Sequence, residues 1–270
     1  MISAAPDRVS PTTGLAPAWA AARTRIALVA VLFALAAVAW WSTADRMRGM
    51  DEGPWTALGT FGWFLGAWLV MMAAMMLPSV APTVALYAQM TKARVLPVLF
   101  VAGYFLVWGA VGGLAFAIAS IAGDVLEWDR AGRWIAGGTL VAAAVYELTP
   151  AKNICLQKCR SPLGFLLGAW RDGRVGALTM GSKHGAWCVG CCWALMASLF
   201  ALGVMSIAWT AFVAALIAVE KLLPWRRVAM YGTATVLLAL GLLILVAPEA
   251  TPALTLPSGN PMPGMSGMSP

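Results

Sequence analysis

The residues able to do chemistry in this chain are mostly sulfur. Cysteines stand at 155, 159, 188, 191 and 192, and the only histidine is His184. The densest stretch reads Lys183-His184-Gly185-Ala186-Trp187-Cys188-Val189-Gly190-Cys191-Cys192. On a helix, His184, Cys188 and Cys192 step by four along one face, and Cys191 lies beside it. Cys155 and Cys159 form a second pair at the same i,i+4 spacing, beside Lys152, Lys158 and Arg160. Those cations would favour thiolate, the species that binds metal or attacks disulfides. A third group is Met71-Met72-Ala73-Ala74-Met75-Met76-Leu77-Pro78, with two i,i+4 methionine pairs. Thiolate, thioether and imidazole together suit soft metals, Cu(I) above all and Zn(II) less well. The candidate ligands are His184, Cys188, Cys191 and Cys192, with Cys155 and Cys159, and with Met72, Met75 and Met76 as further thioethers. Lys183 is placed to offset the negative charge of a Cu(I) dithiolate. The ending Met262-Pro263-Gly264-Met265-Ser266-Gly267-Met268 adds three thioethers spaced by three.

Each feature also has a plainer account. Buried cysteine often serves as a small apolar side chain, and methionine as adaptable filler. One histidine with three cysteines inside nine residues is denser than that account requires. A second chemical reading is a membrane thiol–disulfide oxidoreductase using Cys155/Cys159 and Cys188-x-x-Cys191. A third is a structural membrane subunit with inert cysteines. Enzymatic chemistry has little else to work with: no Ser-His-Asp triad can be assembled around one histidine held among cysteines, and no phosphate-binding Gly-Lys loop is present.

Composition dictates where these residues sit. The chain has 270 residues, 61% hydrophobic and 11% charged, with a mean hydropathy of +0.81. Soluble domains are about 45–50% apolar and about 25% charged, so most of this chain is solvated by lipid. Its architecture is all-α, a polytopic membrane helix bundle. Seven apolar runs approach the roughly 20 residues a span needs: 26–42, 57–80, 95–121, 133–146, 185–204, 206–223 and 228–247. The fifth and sixth are separated by a break at Gly203–Ser206.

The net charge of +7 would suggest nucleic acid in a soluble protein. Here the cations lie in loops on alternate sides of the apolar runs. By the positive-inside rule the N-terminus is cytoplasmic and the C-terminus is outside. Residues 1–24 read as a flexible cytoplasmic tail, 25–248 as one transmembrane domain with a cytoplasmic Cys-containing loop at 147–184, and 249–270 as a flexible Met-rich periplasmic tail. Trp40, Trp41, Trp55, Trp128 and Trp134 fall near the outer ends, where amphipathic rings favour the interface. Gly62/Gly66 and Gly109/Gly113 are small-xxx-small pairs suited to close helix packing. Span two runs inward and span five outward, so Met71–Met76 and His184–Cys188 share the cytoplasmic half of the membrane.

Four ordered motifs carry a family resemblance. They are Trp68-…-Met71-Met72-Ala73-Ala74-Met75-Met76-Leu77-Pro78-Ser79-…-Pro82, Lys152-…-Cys155-Leu156-…-Cys159-Arg160-Ser161-Pro162-Leu163, His184-Gly185-…-Cys188-…-Gly190-Cys191-Cys192-Trp193 and Glu220-Lys221-Leu222-Leu223-Pro224. Over residues 57–225 the chain resembles a bacterial family of predicted metal-binding integral membrane proteins. The resemblance implies metal binding, a link to copper handling and residence in the bacterial inner membrane. It also brings Glu220 among the candidate metal residues. The expected function is Cu(I) handling: delivery to or assembly of a cuproenzyme, sequestration, or slow transport. The expected partners are the lipid bilayer and a metallochaperone or cuproenzyme, not nucleic acid.

Overall fold

The computed structural model describes residues 15–47, 59–91, 93–123, 131–203 and 206–246. The expectations for residues 1–14, for Trp55 and Trp128, and for the methionines of the C-terminal tail fall outside the described residues. Nine α-helices and no strand occur among the described residues: α1 (Leu15–Met47), α2 (Phe61–Met90), α3 (Val95–Gly123), α4 (Ala131–Glu147), α5 (Pro150–Arg160), α6 (Pro162–Ala169), α7 (Gly173–Leu202), α8 (Ile207–Leu222) and α9 (Arg226–Val246). Five of them, α1, α2, α3, α7 and α9, are long and apolar enough to cross a membrane. With 17 and 16 residues, α4 and α8 are shorter than the roughly 20 a perpendicular crossing takes.

The stretch 147–184, expected as a loop, is largely helical. Thr149 accepts a hydrogen bond from the Lys152 backbone N–H, and Pro150 starts α5. Proline suits that first position because its missing N–H would have no helical partner there. Ser161 and Pro162 then turn the chain into α6. Helix α7 starts at Gly173, twelve residues before the expected span, and its first turns bury Gly176, Ala177, Met180 and Gly181. Residues 15–24, expected as tail, likewise extend α1 toward the N-terminus. The break expected at 203–206 is present: α7 ends at Leu202, Gly203 takes φ +114°, and α8 begins at Ile207.

Helix α7 is the axis of the bundle. It packs on α3, α4 and α5, while α1 packs along α2 and α9 along α4. Its tightest contact is with α3. A Cβ on Gly181 would run into the Phe100 carbonyl, and one on Gly103 would run into the Leu178 carbonyl. The Ser182 hydroxyl donates to the Gly103 carbonyl at 3.2 Å across the same crossing. Small residues allow such an approach, and packing then supplies the attraction that lipid does not. The pairs expected to do this do not: Gly62 and Gly66 face open space, and Gly109 and Gly113 make only ordinary van der Waals contact. Small-xxx-small spacing alone cannot tell a helix-facing pair from a lipid-facing one. Outward side chains on α3, including Val98, Leu106, Leu114 and Ile118, are exposed and apolar, as a lipid-facing surface requires. Trp41 and Trp134 are also exposed, whereas Trp40 is half-buried.

Replacing Gly181 by Ala should force α3 and α7 apart and destabilise the protein by about 1–3 kcal/mol, the usual cost of overpacking. Gly62→Ala should be neutral or slightly stabilising, because alanine is the better helix former. Thermal unfolding in detergent, followed by circular dichroism, separates the two outcomes.

Candidate metal centre

Helix α7 carries Cys188, Cys191 and Cys192 into the interior, and all three are buried. It runs unbroken through Gly185 and Gly190. Both glycines sit where another helix comes close. At Gly190 a Cβ would stand 2.7 Å from Cys155 Sγ, so glycine makes room for α5. The Tyr146 hydroxyl of α4 donates to the Gly190 carbonyl at 2.5 Å on the same turn.

This approach brings the two cysteine groups together. The Sγ atoms of Cys159, Cys188 and Cys191 lie within 4.8 Å of one another. Cys191 Sγ is 3.7 Å from Cys159 Sγ and 3.3 Å from Cys192 Sγ. All five cysteines are free thiols. The methionine group joins from α2: Cys188 Sγ and Met76 Sδ are 3.9 Å apart across 112 residues of sequence. The shared membrane depth expected for these two groups thus becomes contact. Met71, Met72 and Met75 are buried in the core along the same helix. Cys155 is half-buried on α5, one turn before Cys159.

His184 lies one turn before Cys188 but outside the three-thiol group. Its ring packs against Phe165, Phe100 and Tyr104, with centroids 4.7, 5.9 and 6.0 Å away. Its Nδ1 is buried without a hydrogen-bond partner among the described residues. An imidazole in that state keeps a lone pair or N–H for another use, at a cost in desolvation.

Three residues of the site, Tyr104, Ser79 and Lys221, had no chemical role assigned from the sequence. The Tyr104 hydroxyl donates to Cys188 Sγ at 3.0 Å. The Lys221 ammonium donates to Cys188 Sγ at 3.2 Å and to Ser79 Oγ at 3.3 Å, and it stands 3.8 Å from Met76 Sδ. The ammonium that stands at the sulfurs is that of Lys221, whereas Lys183 is exposed. A lysine counted for membrane orientation gives no hint that its side chain turns inward; a tyrosine inside an apolar run gives none either.

The cations beside Cys155 and Cys159 point elsewhere. The Arg160 guanidinium donates to the carbonyls of Glu220 at 2.7 Å and Leu223 at 2.5 Å, closing the end of α8. Lys152 is fully buried and ion-paired to Glu147 and, at 2.7 Å, to Glu220. Glu220 thus faces Lys152 while its neighbour Lys221 faces the sulfurs. With the cations engaged, the expected lowering of the Cys155 thiol does not occur: burial pushes it up. Glu147, the last residue of α4, is buried beside Lys152. For Lys152, burial opposes the charge, but Glu220 and Glu147 outweigh it and hold the ammonium above its ordinary value.

Three cysteine sulfurs and a thioether gather there with no carboxylate among them, a donor set that suits soft metals. A protein-family model, the PpoB2 copper chaperone family, matches residues 65–244. The chain belongs to this family. The match covers well over half of the chain and spans all four sequence motifs. No curated protein and no solved structure matches. Membership in a copper chaperone family and the buried thiol group agree on copper handling.

Removing the central charge tests the triad. Lys152→Met should strand a carboxylate in the interior and destabilise the protein by about 3–5 kcal/mol. Glu147→Gln, which leaves the ammonium paired with Glu220, should cost less, about 1–3 kcal/mol. Denaturant titration of the two variants in detergent gives the comparison.

Proposed function

We propose that the protein binds Cu(I) inside the bilayer and passes it on as a membrane copper chaperone. The observation that carries this reading is the group formed by Cys159, Cys188 and Cys191, three buried sulfurs within 4.8 Å of one another. Soft thiolates select Cu(I), and a flanking thioether adds a ligand without adding charge. Met76 and Cys192 flank the group at 3.9 and 3.3 Å. Cys155, half-buried one turn earlier on α5, is the first sulfur an ion meets on its way in or the last on its way out. His184, with its unpartnered Nδ1, is a second-rank ligand here.

The topology that suits this role has seven spans, α1, α2, α3, α4, α7, α8 and α9, with the N-terminus in the cytoplasm. Helices α5 and α6 then lie at the cytoplasmic face. The loop charges support it, and the inner membrane of a bacterium is the setting it fits. The thiols lie on the reducing side, where disulfides are scarce, which favours metal binding over oxidative work. The chain offers no ATP-binding loop, so delivery or sequestration suits it better than pumping. The receiver is a cuproenzyme or a soluble metallochaperone.

Protein purified anaerobically should hold copper in stoichiometric amount. Cys188→Ser and Cys191→Ser should each lower its content several-fold, and Cys159→Ser somewhat less. Elemental analysis of the purified variants checks this, and wild-type protein without bound copper after normal metal supply would refute it. A disulfide joining Cys159 to Cys191 in living cells would support the oxidoreductase reading instead. A reporter fused after Met268 should be active only outside the cytoplasm; cytoplasmic activity would overturn the seven-span arrangement.

A further inference from the structure

The sulfur cluster already holds a cation. The Lys221 ammonium contacts Cys188 Sγ, Met76 Sδ and Ser79 Oγ at 3.2, 3.8 and 3.3 Å. Two of these three acceptors are sulfurs that the reading above assigns to copper. Sulfur is a weak hydrogen-bond acceptor, and an ammonium ion in a dry interior is costly unless well satisfied. The ammonium is therefore held loosely for a buried charge. It is also free to move, because Lys221 is the penultimate residue of α8 and only half-buried. Four rotatable carbons separate its charge from the backbone. Ser79 gives it one oxygen acceptor at the edge of the cluster, and that hydroxyl is itself anchored by donating to the Met76 carbonyl at 2.9 Å.

We propose that Lys221 is a resident cation that a univalent metal displaces, and that it makes the site select metals by charge. This rests on the copper-binding reading. With the ammonium seated on it Cys188 is a thiolate; as Cu(I) bonds to that thiolate and to the neutral Met76 thioether, the hydrogen bonds from the ammonium to both sulfurs break and no proton has to leave Cys188. The ammonium keeps its proton and withdraws on its stem; no electron moves. One positive charge leaves the sulfurs as another arrives, so their surroundings stay balanced. Zn(II) brings two charges where one has left. The tethered ammonium repels the divalent ion about twice as strongly, since Coulomb energy scales with charge. The same device favours release: when the acceptor takes the metal, the ammonium returns and fills the vacated position.

The test uses the full-length chain in detergent under anaerobic conditions, with Cu(I) and Zn(II) each titrated against a colorimetric chelator. Lys221→Met should bind Cu(I) roughly ten-fold more tightly than wild type, and its gain for Zn(II) should be larger still. Lys221→Arg, which keeps the charge, should retain the wild-type preference for Cu(I). Equal or weaker Cu(I) binding by Lys221→Met would overturn the proposal, for it would make Lys221 a stabilising counter-ion or a structural group. A second measurement needs no variant. Labelling of Lys221 by an amine-reactive reagent, read by mass spectrometry of wild-type protein, should rise several-fold when Cu(I) is added. Unchanged or reduced labelling would also overturn it. Failure of the copper reading looks different: wild-type protein then takes up no Cu(I) at all.

Discussion

A charge cannot be left alone in the interior of a membrane protein, and Lys152 is the charge on which this architecture turns. Its two carboxylate partners come from different helices, Glu147 from the end of α4 and Glu220 from the end of α8. Satisfying Lys152 therefore fixes three helix ends at once. The same constraint orients the neighbours. Cys155 and Cys159 follow Lys152 on α5, and Lys221 follows Glu220 on α8. Once Glu220 is turned to Lys152, the helical rotation between successive residues sends Lys221 about 100° away, into the sulfur cluster. The ion pairs thus position the site without belonging to it.

The cluster itself is assembled from five helices. Cys188 and Cys191 belong to α7, Cys159 to α5, Met76 to α2, Tyr104 to α3 and Lys221 to α8. Such a site cannot persist if the helices part. Three glycines bring the backbones close enough to hold it: Gly103 and Gly181 at the crossing of α3 and α7, and Gly190 opposite Cys155. Packing of this kind matters more in lipid than in water, because apolar contact between helices gains little over contact with acyl chains.

Much of this was legible in the sequence, and the parts that were not share a cause. The composition showed a helical membrane bundle, and the i,i+4 spacing showed which sulfurs share a face of α7. The break at Gly203–Ser206 was visible as an interruption of one overlong apolar run. What the spacing could not show was rotation about each helix axis. Gly62/Gly66 looked like a packing pair and faces outward. Glu220, a candidate through the family resemblance, pairs with Lys152, while Lys221, quoted in the same motif, was given no chemical role. Lys152 and Arg160 looked like neighbours of the thiols and are committed to Glu220 and to backbone carbonyls. Burial of charge is decided by partners distant in sequence, and a single chain read linearly does not pair them.

The Arg160 hydrogen bonds have a mechanical side. Two strong donors on the last turn of α5 grip the Glu220 and Leu223 carbonyls at the end of α8, while Lys152 grips Glu220 from the first turn of α5. The short helix is thereby riveted to α8 at both of its ends. A displacement of α5 therefore carries the end of α8 with it. The joint thus ties the position of Cys159 on α5 to that of Lys221 on α8.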